Sequence, residues 1–173
     1  MRLTVKTAVI VFAAAILQGS WFDSISLGRG SAGLLLVVVV SLALLRGSVF
    51  GAGAGFAAGL LFDISTYNQL GLTSLLLTLA GFLTGRYGET TGRDRAHAPF
   101  VSVAVITVLY ELGGLAVRFL IGEAAPFGQL VLGVIPGELV LNLILTAPVY
   151  VLCRWTVGRQ GDELRGSEVR VIA

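Results

Sequence analysis

Residues Ser31 to Ile64 form an apolar stretch of 34 residues in which Arg46 is the only charge before Asp63. As one helix this stretch would extend about 51 Å at 1.5 Å per residue, well beyond a hydrocarbon core of roughly 30 Å. It must fold back on itself. The only polar break is Arg46-Gly47-Ser48, so two short spans, 31–45 and 47–62, are expected to meet there in a tight helical hairpin.

The remainder of the chain has the same solvent. Hydrophobic residues make up 55% of the 173 residues and charged ones 13%, with a mean hydropathy of +0.90, whereas soluble domains run near 25% charged. That balance excludes an ordinary cytosolic fold and implies one all-α polytopic membrane domain over residues 1–153. A first span, 7–22, follows Arg2 and Lys6 and imitates a secretory signal. Its small pair Ala13 and Ala15 comes too early for cleavage, and a cut after Gly19 or Ser20 would put Leu17 or Gln18 at the third position back, so the span is read as uncleaved. Further spans are expected at 70–84, 98–120 and 127–153, with a polar loop from Arg86 to His97. The tail, 154–173, mixes Arg, Asp, Glu and Gly and reads as solvated.

Six spans sort the basic residues. Arg2, Lys6, Arg46, Arg86, Arg93, Arg95, Arg154, Arg159, Arg165 and Arg170 fall on one side, and only Arg29 and Arg118 on the other. Positive charge stays inside, so both termini are expected in the cytoplasm, which requires an even number of spans.

Several chemistries find no foothold. The net charge of +2 is scattered without a run of like charge, so nucleic-acid binding has no support. Cys153 is the only cysteine and His97 the only histidine, too few for an internal disulfide or a zinc site. Gly53-Ala-Gly55-Phe-Ala-Ala58 fits a loose dinucleotide fingerprint, but that motif needs a preceding strand and an acid about twenty residues on, where Leu75 stands. No nucleophile elbow, paired-His motif or phosphate loop is present. No catalytic residue, cofactor or metal is expected.

Glycine recurs every fourth residue at Gly47, Gly51, Gly55 and Gly59, and again at Gly81 and Gly85. Helices in lipid gain little from hydrophobic burial, so close backbone approach over small residues supplies the packing energy. The ladder serves either packing within the chain or a partner's helix. Glu111 and Glu138 fall at similar depth in the last two spans, with Arg118 two turns from Glu111 and Asn142 one turn from Glu138. This intramembrane polar cluster either binds a small ligand or relays protons, or else fixes helix register, with Arg118 snorkelling to the surface. Pro136 and Pro148 are expected to bend the last span. Asp63, at a span end, is either solvated or caps the turn that reverses the chain.

The run Arg46-Gly-Ser-Val-Phe-Gly51-Ala-Gly-Ala-Gly55-Phe56-Ala-Ala-Gly59-Leu60-Leu61-Phe-Asp63, then Leu70-Gly71, Gly81-Phe82-Leu-Thr-Gly85-Arg86 and the late Pro136, Asn142 and Pro148, resembles the rod shape-determining protein MreD family from about Val5 to Trp155. The resemblance implies a non-enzymatic scaffold of the bacterial cell-elongation machinery in the cytoplasmic membrane. It implies MreC as the direct partner, with MreB, the RodA-type synthase and the elongation transpeptidase further out. A second copy of the chain is carried as a candidate partner. The family is also similar to the six-helix substrate-binding subunits of energy-coupling-factor transporters, which keeps open a small-solute binder using Glu111, Arg118, Glu138 and Asn142. Only two aromatics, Tyr110 and Phe119, stand near that cluster, which weakens the cavity it would need.

Overall fold

The computed structural model describes residues 33–66, 71–91, 97–122 and 133–157, together with residues 7, 9–14, 16, 18, 26–27, 30–31 and 128. An N-terminal helical segment over the described part of 7–18 is followed by five bounded helices: α1 (Leu34–Arg46), α2 (Ser48–Thr66), α3 (Leu72–Thr91), α4 (Ala98–Leu120) and α5 (Ile135–Val157). The described residues are helical apart from one small element. Ser26–Leu27 (β1) and Gly30–Ser31 (β2) form a two-residue antiparallel ladder that packs on α5, where the sequence reading had already begun a span at Ser31.

Among the described residues three helices are long and apolar enough to cross a membrane: α2 over Ser48–Ser65, α4 and α5. The chain is a membrane protein on that criterion. The hairpin expected at Arg46-Gly47-Ser48 is present, and Gly47 alone separates its two helices at φ 98, a conformation that favours glycine. Its amide closes α1 by bonding the Ala43 carbonyl at 2.7 Å.

All thirteen residues of α1 are buried. This helix is apolar all round from Leu34 to Val40 and takes the centre of the bundle, where neighbouring helices bond both of its ends. At about 20 Å it falls short of the hydrocarbon thickness, so at least one of its ends lies inside the bundle. The remaining helices surround it. Gly51 faces Gly81 and Glu111 faces Glu138, which makes α1, α3 and α5 parallel to one another and antiparallel to α2 and α4. Arg46, Arg86 and Arg154 therefore share one end of the bundle and Arg118 marks the other.

Helix limits differ from the sequence reading in a consistent direction. Helix α2 runs four residues past 62, which places Asp63 within its last turn rather than beyond it. Helix α3 continues through Thr91, so Arg86 and Glu89 belong to a helix and not to a loop. Charge marks where lipid ends, whereas a helix carries on into the headgroup region as long as its backbone bonds are made. Pro148 lies inside α5, and Pro136 sits in its first turn, where a missing amide costs no bond.

Candidate functional site

Helices α2 and α3 form the most extensive contact in the bundle. A methyl group built on Gly51, Gly55, Gly59, Gly81 or Gly85 would stand closer than 3.0 Å to an atom across the seam. Gly51 and Gly81 meet backbone to backbone, Gly55 lies on Leu77, Gly59 on Ser74, and Gly85 on Gly47 and Ser48. The ladder is thus spent within the chain, and Gly47 serves as its turn. Ser74 adds an interhelical bond, its hydroxyl donating to the Phe56 carbonyl at 3.1 Å. Gly53, out of phase with the ladder, has open space around it.

One acid locks each end of this seam. Asp63, on α2 and only 1% exposed, accepts through Oδ2 from the amides of Gly71 at 2.8 Å and Ser74 at 3.3 Å, capping the start of α3. Glu89, on α3, accepts through Oε1 from the Ser48 amide at 2.8 Å and from its hydroxyl at 3.1 Å, capping the start of α2. The first amides of a helix have no intrahelical acceptor, and a membrane interior offers no water to replace one. Each helix therefore supplies the other's missing acceptor. Arg86, 3.9 Å from Glu89, adds a weak exposed ion pair.

The start of α1 is satisfied in the same way by two residues elsewhere in the chain. The Gly33 amide donates to Oδ1 of Asn142 at 2.7 Å, and the Leu35 amide donates to Oε1 of Gln18 at 2.6 Å. Asn142, fully buried, donates in turn to the Thr107 hydroxyl at 3.1 Å, while Thr146 donates to the Asn142 carbonyl at 2.6 Å. Glu138, 6% exposed, lies beside Gly33 and within hydrogen-bonding reach of Asn142 and Glu111. At the other end of α1, the Arg46 guanidinium donates to the Val157 carbonyl, the last residue of α5.

Of the four residues expected to cluster, Glu111, Glu138 and Asn142 come together and Arg118 does not. Arg118 is exposed near the end of α4, about 10 Å along the helix from Glu111, and among the described residues no ion pair joins it to either acid. Asn142 is occupied by Thr107 and by the start of α1. Among the described residues no three His, Cys, Asp or Glu side chains converge on a metal position. Sequence reasoning missed Gln18, Gly33, Thr107 and Glu89. Gln18 and Thr107 are isolated polar residues in apolar runs, which is the signal that a buried backbone end awaits a partner.

The sequence model of the family described as rod shape-determining protein MreD matches residues 2–156. No curated protein and no solved structure matches the chain.

Proposed function

Since the chain belongs to the rod shape-determining protein MreD family, we propose that it acts as a non-enzymatic scaffold that holds partner helices of the cell-elongation machinery in the bacterial cytoplasmic membrane. The observation that carries this reading is the α2·α3 seam, closed by glycine along its length and by one acid at each end. Such a pair is rigid, and its outer face is apolar: Val49, Phe56 and Ile64 of α2 point away from the bundle. Rigid apolar faces suit helix docking, whereas solute capture needs a polar cavity. Asn142, Asp63 and Glu89 are used in capping.

In this reading the N-terminal segment and α1 to α5 give six passes, with both termini cytoplasmic beside Arg46, Arg86 and Arg154. MreC is the direct partner. MreB, the RodA-type synthase and the elongation transpeptidase are reached through it. Depletion of the protein in its native cell tests the reading: rods should become spheres, and affinity-purified protein should bring down MreC. Rods that persist after complete depletion would overturn it.

A further inference from the structure

A groove of about 330 Å³ runs between α3 and α4. Ala80 and Ile106, 5% and 4% exposed, form its floor, while Leu79, Leu83 and Leu109 stand exposed at its rim. Tyr110 adds a wall. The groove opens directly onto the lipid-facing surface, since the leucines that form its rim also belong to that surface.

The extent of the groove limits what can fill it. On α3 it runs from Leu76 to Leu83, about 10 Å, beginning about 6 Å below Leu72 at the Arg118 end and stopping near mid-depth. A partner's spanning helix would extend over roughly 30 Å, about three times the length of the groove. The groove instead matches the depth of one leaflet. Its lining is almost wholly apolar, so water gains no partners there.

We propose that this groove holds one hydrocarbon tail of a bilayer phospholipid from the leaflet on the Arg118 side. A tail among other tails gains no hydrophobic energy by entering. What retains it is dispersion contact with fixed walls and floor, which fluid neighbours do not match. The site is independent of the scaffold reading and survives its failure.

The test is native mass spectrometry of the full-length protein in mild detergent with added palmitoyl-oleoyl phosphatidylethanolamine, followed by graded delipidation. Wild type and Ala57→Phe, which adds bulk on the exposed face of α2, should each retain one lipid per chain. Ala80→Phe, which fills the floor, should lower retention about tenfold with unchanged circular dichroism. If Ala80→Phe does not fold, Leu83→Trp narrows the groove from its exposed rim and should give the same loss. The proposal fails if wild type retains no lipid, if the groove variants retain as much as wild type, or if they shed a polypeptide instead of a lipid.

Discussion

The amide of Gly33 and the side chain of Asn142 are joined by a 2.7 Å hydrogen bond across 109 residues of sequence. This bond ties the start of the central helix to the last one. With the Arg46 contact to Val157 at the opposite end, α1 is held by α5 at both of its termini. A helix too short to reach both membrane surfaces is stable in this position because neighbouring helices complete its backbone bonding.

Replacing Asn142 by Leu removes the acceptor for Gly33 and the donor for Thr107. Each buried group left unpaired costs about 1–3 kcal/mol, so thermal unfolding in detergent should shift clearly downward. Asn142→Asp keeps the acceptor and should lie between Leu and wild type.

Gly55→Leu drives a side chain into the Leu77 backbone, which cannot yield as a side-chain tip would. We expect loss of monodisperse protein on size-exclusion chromatography. Gly53→Leu enters open space and should stay within about 0.5 kcal/mol of wild type.

Asp63→Ala and Glu89→Ala should each cost about 1–2 kcal/mol, as lost caps do. The two caps are separated by about 22 Å along α2, so their effects should add within about 0.5 kcal/mol in a double-mutant cycle. Strong coupling would mean that the seam does not hold its ends independently.

In a Cys153→Ala background, Arg118→Cys should react in intact cells with a membrane-impermeant thiol reagent, and Arg86→Cys should react only after lysis. The reverse pattern would invert the proposed orientation.

Glu111→Gln and Glu138→Gln each keep a polar group that both donates and accepts hydrogen bonds. Cells carrying either change should remain rods under the scaffold reading, scored by microscopy after depletion of the wild-type copy. Glu138→Leu, which leaves Asn142 and Glu111 without this neighbour, should lower the yield of folded protein.

The hairpin at Gly47 was legible because length alone forces it, and spacing by four marked the glycines for close backbone approach in lipid, with the neighbour, a span of this chain or a partner's helix, left open. The long-range capping was not. Glu89 looked like a loop residue because charge density after Arg86 signals the end of lipid, yet the helix continues through Thr91 and turns that charge toward Ser48. Arg118 was grouped with Glu111 because the two share a face of α4 two turns apart, but seven residues are about 10 Å of helix, and the Arg118 side chain lies exposed near the helix end. Asn142 was singled out as a polar residue at depth, while its partner Gly33 has no side chain to announce it.

The reciprocal use of Asp63 and Glu89 bears on how the chain enters the bilayer. As it emerges, α2 carries an acid at its trailing end and bare amides at its leading one, and both find their partners only on α3. Either helix alone would leave its own first amides without an acceptor. The pair therefore has reason to leave the insertion machinery together, as a single pre-zipped unit, and the order of events during biosynthesis is already written into which residue bonds to which.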